Sequence, residues 1–360
     1  MRQFLIESGG FRSRVTVYGY RTHPAAGVSG ERRRALLVSD TNTEQYVDSL
    51  LANSQGHLEI AGRVALPSGE KEKSLENVDK LLRPALDARL SRSDLFVVLG
   101  GGVLCDLGAF AGSIYLRGVV VELLPTTLLA MVDAAIGGKT GTNYEGYKNM
   151  IGTFYPARDV RIYPSYLATL PQREFLSGLA EVIKAGLLGD PELVSLLEDR
   201  REAVLAREPS VVAELIERAV AVKVQVVNED LREGGRRAIL SLGHTFAHAL
   251  ESVALLGRYS HGEAVAWGIG RAMVLGGALG LTDSPYSRRV FSLLRGYGYD
   301  LDPVSYDTRE LLNAMGRDKK REGKELRFVL QRRLGETEIV PVDRGLAENT
   351  LVAKPETRYD

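Results

Sequence analysis

The stretch DLFVVLGGGVLCDLGAFAGS, beginning at Asp94, limits the fold more than any other part of this chain of 360 residues. Leu95, Phe96, Val97, Val98 and Leu99 form an unbroken apolar run that enters Gly100, Gly101 and Gly102, after which helical spacing begins. A strand that is apolar at every position is covered on both faces, the condition of a parallel sheet and not of a sheet with one wet side. Two other runs share this character, ALLVSD at residues 35–40 and VVVELLP at residues 119–125. Between the first of them and the glycine turn lies a segment, 74–89, with Leu75, Val78, Leu81, Leu82 and Leu86 at helical spacing. Such alternation predicts an α/β half, Rossmann-like, with a mostly parallel sheet.

From about Gln172 the pattern changes. Helical spacing dominates residues 173–188, 191–206, 209–228 and 243–256, and strand signals return only in RFVLQRRLGETEIVPV, 327–342, which reads as a hairpin. A chain of 360 residues suits two domains. The expected division is 1–171, nucleotide-binding α/β, and 172–360, an all-α domain apart from that hairpin. The last residues, LVAKPETRYD, are expected to fray.

Charge and composition exclude several classes. Lys+Arg and Asp+Glu are matched at 46 each, so no basic excess favours nucleic acid or an anionic membrane. A hydrophobic fraction of 44% excludes disorder as the main state. The single cysteine, Cys105, excludes an internal disulfide framework and a multi-thiolate zinc site, and a reducing, cytoplasmic setting is expected. The start, MRQFLIESGGFRSR, has no apolar core of signal-peptide length, and the apolar stretch 119–138 is broken by Glu122, Pro125 and Asp133, so no membrane span is expected.

Four groups of residues carry chemistry. Gly101 and Gly102 at a strand's end let backbone N–H groups approach a phosphate, and the following helix start adds its positive end, although a tight strand-to-helix turn needs the same glycines. Asp40, in SDTN, suits a ribose or adenine group. In PTTLLAMVDAAIGGKTGTNYEGYKNMIG, Asp133, Lys139, Lys148 and Asn149 surround Gly137, Gly138 and Gly141, and ammonium groups among glycines suit phosphate or carboxylate. Three of the five histidines, His244, His248 and His261, fall in one segment. His244 and His248 share a helix face, and imidazoles with a carboxylate suit zinc or a similar divalent ion. Spacing leaves the ligand set open, with His248 and Glu251 among the possibilities. In AEVIK, Glu181 sits at the edge of a buried stripe with Lys184 one turn on, an arrangement that serves an ion pair or completes a metal site.

In this order, GGGVLCDLGAF, YLRG, PTTLLAMVDAAIGGKTG, KNMIGTF, AEVIK, LGHTFAHALE and HGEAVAWG resemble the 3-dehydroquinate synthase family, within the wider sugar phosphate cyclases. The resemblance runs from SDTN through PSGEKEKS to MGRDKK. It implies an N-terminal NAD-binding α/β domain, a C-terminal helical domain and an active site in the cleft between them.

Position by position, it implies that Glu181, His244 and His261 ligate one divalent metal, zinc or cobalt. It implies NAD contacts at Asp40, Asn42, Glu70, Lys73, Gly101, Gly102, Asp106, Thr126, Thr127 and Lys148. Substrate contacts or catalytic roles fall to Asp133, Lys139, Asn149, Lys184, Lys223, Arg237, His248 and Lys319. Arg117, in YLRG, matches an arginine that reaches the neighbouring subunit's substrate phosphate, which implies a homodimer.

The implied reaction takes 3-deoxy-D-arabino-heptulosonate 7-phosphate to 3-dehydroquinate and phosphate in the shikimate pathway. NAD transiently oxidises a ring hydroxyl, phosphate is eliminated, the ketone is reduced again, and an intramolecular aldol step closes the carbocycle. One position departs from the family pattern, which reads L-N-x-G-H where this chain has LSLGH, so that Ser241 replaces asparagine. Serine is shorter and lacks the two amide donors. That leaves a sister cyclase acting on sedoheptulose 7-phosphate as one alternative, while a metal-dependent polyol or alcohol dehydrogenase shares the two-domain architecture.

Overall fold

The computed structural model describes residues 1–25, 32–255, 257–318 and 326–355. The chain divides into two compact units, one comprising Met1–Leu170 with Arg207–Arg232, the other Pro171–Ala206 with Glu233–Asp360.

In the first unit, β1 (Arg2–Ser8), β2 (Phe11–Val17), β3 (Arg33–Asp40), β4 (Leu58–Leu66), β5 (Leu95–Gly100), β6 (Val120–Pro125) and β9 (Asp159–Ile162) form one sheet. Their order across it is β1-β2-β9-β6-β5-β3-β4. Every pair is parallel except β1 with β2. Each residue of β5 is buried, as its apolar run requires. The helix Gly102–Ile114 lies close against this strand and β6. A Cβ on Gly108 would stand 2.6 Å from Val98 Cγ2, and one on Gly112 2.5 Å from Val121 Cγ2. β7 (Lys139–Tyr144) and β8 (Tyr147–Phe154) pair separately as an antiparallel hairpin.

Charged residues inside the sheet are paired, because an unpaired buried charge costs several kcal/mol. Glu122, fully buried, meets the Arg161 guanidinium, which also donates to Tyr18 Oη at 2.7 Å. Asp159 accepts from Arg14 Nε at 2.7 Å and from Arg158 Nε at 2.8 Å. Burial would raise the Asp159 carboxyl, but the hydrogen bonds from Arg158 and Arg14 outweigh it and hold the group below the usual carboxylate range.

The three strands expected from apolar runs are β3, β5 and β6, and the expected helix at 74–89 is Leu75–Asp87. The helix Pro209–Glu229 belongs to the first unit, which differs from a single division at residue 171. Its stripe of Val212, Leu215, Ile216, Ala219 and Val220 is buried, and the helix packs on β1 and on the turn Ala130–Ala134. Asn228 fastens its end, accepting from the Glu7 N–H at 2.8 Å and donating to Leu5 O at 2.9 Å.

The second unit holds the helices Gln172–Gly189, Pro191–Asp199, Arg201–Leu205, His244–Val253, His261–Ala278, Ser284–Gly296, Thr308–Asp318 and Arg344–Val352. It also holds the expected hairpin, β10 (Leu326–Arg333) with β11 (Glu336–Val342), and among its described residues these are the only strands. The single helix expected at 191–206 is broken at Arg200, whose φ of −116° and ψ of 29° are not helical. The expectation of a frayed end is corrected for residues 351–355. Leu351 is buried in a helix that runs to Val352, and the buried Arg271 donates to Thr350 O at 3.1 Å and Ala353 O at 2.6 Å. Among the described residues, no helix is long and apolar enough to cross a membrane.

Candidate active site

Within the second unit, three helices meet through glycine contacts. A Cβ on Gly262 would stand 2.2 Å from the Ser177 carbonyl oxygen, and one on Gly268 2.2 Å from the Gly243 carbonyl oxygen. Only glycine permits such an approach of backbones. Gly243, with φ at 79°, starts the helix His244–Val253 from the left-handed region. Ser260 caps the helix His261–Ala278 in a reciprocal box with Glu263, which fixes the turn that carries His261. The Gly262 N–H also donates to Ser177 Oγ at 3.0 Å, tying that turn to the helix that carries Glu181.

These constraints place Glu181, His244 and His261 together, each offering a ligand atom within 4.8 Å of the others. His244 Nε2 lies 3.5 Å and His261 Nε2 3.4 Å from Glu181 Oε1. Both carboxylate oxygens of Glu181 are buried without an aligned hydrogen bond from the chain. On the other side of the carboxylate stands the Lys184 ammonium, 2.5 Å from Oε2 and equally buried. A buried carboxylate with two imidazole nitrogens is a donor set that fits zinc, cobalt or a similar divalent ion.

Burial and neighbouring charges set the protonation of each of these groups. Burial would raise the Glu181 carboxyl, yet Lys184 and the imidazoles outweigh it and hold it well below the carboxylate range. Burial and the Lys184 ammonium push His244 down to about 3, so its ring is neutral. His261 also suffers burial, but Glu181 and Glu251 on either side raise it to about 10. His248 lies one turn beyond His244, with ring centroids 5.3 Å apart. Arg237 and Ser241 share the 3₁₀ turn Arg236–Ser241 that leads to His244, and Arg237 is buried with Nε 3.5 Å from Glu233 Oε1.

In the first unit the glycine turn leads from β5 into the helix Gly102–Ile114. Gly101 precedes the helix Gly102–Ile114 without a side-chain cap, and its Cβ position would lie 3.1 Å from Thr127 Cγ2. Several of the expected residues in this unit pair with one another. Lys73 Nζ donates to Asp106 Oδ2 and to Asn149 Oδ1. Burial raises the Asp106 carboxyl, opposed by Lys73. Lys223 Nζ donates to Asp133 Oδ1 at 2.5 Å, across from the helix Pro209–Glu229 to the turn Ala130–Ala134. Asp40 Oδ1 accepts from the Asn42 and Thr43 N–H groups at 2.9 and 3.0 Å, so this oxygen holds its own turn.

Thr126 is buried, while Lys139, Lys148 and Arg117 are exposed. Arg117 follows Leu116 through two left-handed residues, φ 49° and 64°, which makes an exposed corner. Lys319 lies outside the described residues.

One residue in this set was not anticipated. Asn143 donates to Glu70 Oε1 at 2.8 Å and accepts from the Asn149 N–H at 2.9 Å, while its own N–H reaches Lys73 O at 3.0 Å. It holds Asn149 at a φ of 53°. Its one signal in the sequence is an amide side chain in a segment otherwise rich in glycine and threonine.

Residues 63–177 match the family described as 3-dehydroquinate synthase N-terminal, and residues 178–321 the one described as 3-dehydroquinate synthase C-terminal. The chain belongs to the 3-dehydroquinate synthase family.

Among curated members of that family, the 3-dehydroquinate synthase of Acidithiobacillus ferrooxidans is 42% identical over 300 residues, 83% of this chain and 82% of the relative. Among solved structures, the chain is similar to 2-epi-5-epi-valiolone synthase from Streptomyces hygroscopicus subsp. jinggangensis, with NAD+ and Zn2+ bound. The TM-score is 0.85 at 28% identity, over 94% of this chain and 95% of that one. It is also similar to 2-deoxy-scyllo-inosose synthase complexed with carbaglucose-6-phosphate, NAD+ and Co2+, with a TM-score of 0.85 over 97% of this chain and 99% of that one. The identity there is 22%, and the likeness speaks for the fold alone.

Proposed function

We propose that this chain is a 3-dehydroquinate synthase, a phosphate-eliminating lyase that converts 3-deoxy-D-arabino-heptulosonate 7-phosphate to 3-dehydroquinate and phosphate in the shikimate pathway. Family membership supports it, and one structural observation carries it. Glu181, His244 and His261, from three helices, converge beside the buried Lys184.

In this reading those three residues hold one divalent metal, zinc or cobalt, and the residues around the glycine turn hold NAD. When bound, the metal supplies Lewis-acid polarisation of a substrate hydroxyl and NAD accepts and returns a hydride. The Lys184 ammonium, favoured by Glu181 at 2.5 Å, stabilises the oxygen of that hydroxyl as its proton leaves, or Lys184 in its neutral amine form takes up that proton and later returns it. Lys139, Lys223 and Arg237 oppose the substrate carboxylate, and Asp133 fixes the Lys223 ammonium. Arg117, Asn149, His248 and Lys319 serve the substrate phosphate.

Asp40, Asn42, Glu70, Lys73, Gly101, Gly102, Asp106, Thr126, Thr127 and Lys148 contact NAD. The second oxygen of Asp40 accepts from the ribose and repels a 2′-phosphate. The exposed corner at Arg117 suits a homodimer in which this arginine serves the neighbouring copy's substrate. A cytoplasmic location fits a biosynthetic lyase with one buried thiol, Cys105.

Ser241 favours one second reading, a cyclase acting on sedoheptulose 7-phosphate. The test is purified protein with NAD and zinc or cobalt, given each sugar phosphate in turn while phosphate release and NADH are followed. The expected result is phosphate and 3-dehydroquinate from the sugar acid phosphate with no net NADH. Phosphate from sedoheptulose 7-phosphate alone would replace this reading by the second. Net NADH from a simple alcohol would make the protein a dehydrogenase.

A further inference from the structure

We propose that Glu251 is a positioning residue of the metal site, holding the His261 imidazole with Nε2 turned inward and so setting how tightly the ion is held. The inference rests on the reading that Glu181, His244 and His261 ligate that ion. A neutral imidazole gives one nitrogen to a metal while the other carries the ring proton. Both histidines turn the same nitrogen inward, His244 Nε2 at 3.5 Å and His261 Nε2 at 3.4 Å from Glu181 Oε1.

Both Nδ1 atoms face a protein acceptor, but the acceptors differ. His244 Nδ1 lies 3.2 Å from the Leu242 carbonyl oxygen, whereas His261 Nδ1 lies 3.5 Å from Glu251 Oε1. A carbonyl fixes the tautomer. A carboxylate fixes it and adds a negative charge behind the ring, which strengthens Nε2 as a donor. Because Glu251 stands on the Nδ1 side of His261 and Glu181 on the Nε2 side, Glu251 acts through the ring and not as a ligand of its own.

The placement follows from the helix. Glu251 lies two turns after His244 on the same face of His244–Val253, so one helix supplies a ligand and the outer partner of the next ligand. Its side chain is only 11% exposed, which keeps the charge from being screened by solvent.

The test uses the full chain freed of metal, as wild type, Glu251→Gln, Glu251→Ala and His261→Ala. Zinc affinity is read by competition with a chromophoric chelator, and cobalt(II) geometry by its visible absorption bands. The expected zinc Kd rises roughly 10- to 100-fold in Glu251→Ala and less in Glu251→Gln, whose amide oxygen still accepts from Nδ1 without the charge. The cobalt bands shift in both, which a purely structural residue would not cause. Glu251→Gln keeps the size of the side chain and decides the matter if Glu251→Ala does not fold. An unchanged Kd and unchanged cobalt spectrum in the Glu251 variants, with His261→Ala defective, would overturn this inference alone. A wild type that holds no metal, or a His261→Ala variant that holds it normally, would overturn the ligand reading as well.

Discussion

Glu181 shows how much a single side chain can carry. Its carboxylate stays charged in a buried place because Lys184 and two imidazoles surround it, and the two imidazoles are the other candidate ligands of the same site. His261→Ala should reduce bound zinc from about one equivalent to a trace and abolish turnover, while the circular dichroism of the protein is retained; metal analysis of the purified variant checks this. At Ser241, on the turn leading to His244, restoring asparagine should lower KM for the sugar acid phosphate by up to about tenfold, the effect of one regained hydrogen bond.

Asp159 offers a pH test away from the site. Its carboxyl lies below the usual range when folded, so its charge stabilises the fold above the unfolded value of about 3.9 and this contribution is lost as pH falls through the folded value. Asp159→Asn should therefore destabilise the protein by about 1.5–3 kcal/mol at pH 7, with the difference shrinking below about pH 4, as read by urea unfolding. Spacing alone put His244 and His248 on one face and left the ligand set open, the family resemblance singled out Glu181, His244 and His261, and the Nε2 atoms of these two histidines converge on Glu181.

At the scale of elements, the site depends on backbones that nearly touch. Gly262→Ala would drive a methyl group into the Ser177 backbone and displace the turn bearing His261. Its expected cost is about 1–3 kcal/mol in stability together with weaker zinc binding, measured by thermal unfolding with and without zinc. Asn143→Ala should loosen the β7–β8 hairpin from Glu70 and weaken NAD and substrate binding together, a joint loss that calorimetric titration would show.

Elements buried on both faces were legible, as β3, β5 and β6 show, because a short unbroken apolar run that ends in glycine, proline or polar residues suits a strand covered on both sides. The hairpin β1–β2 was not, since its exposed positions break the apolar pattern with charges. β9 is four residues long, too short for periodicity to register. The β7–β8 segment reads as a loop because its glycines and lysines hide the strand signal.

For the whole molecule, local pattern reaches its limit. The change of texture near Gln172 marks the end of the first long stretch of unit one, yet the chain returns there at Arg207–Arg232. A helical stripe states that it will be buried and not against what, and the partners of Pro209–Glu229 include β1, some two hundred residues earlier, as well as the turn Ala130–Ala134. Because a metal that binds only the folded chain stabilises it by mass action, zinc at about 100 times its Kd should add about 2.7 kcal/mol, removed again by a chelator.

The most direct measurement is anomalous diffraction at the zinc edge from crystals grown with zinc and NAD. The predicted result is one strong peak at roughly 2.0–2.2 Å from a Glu181 oxygen and from Nε2 of both His244 and His261. A peak at any other set of side chains, or none, would contradict it.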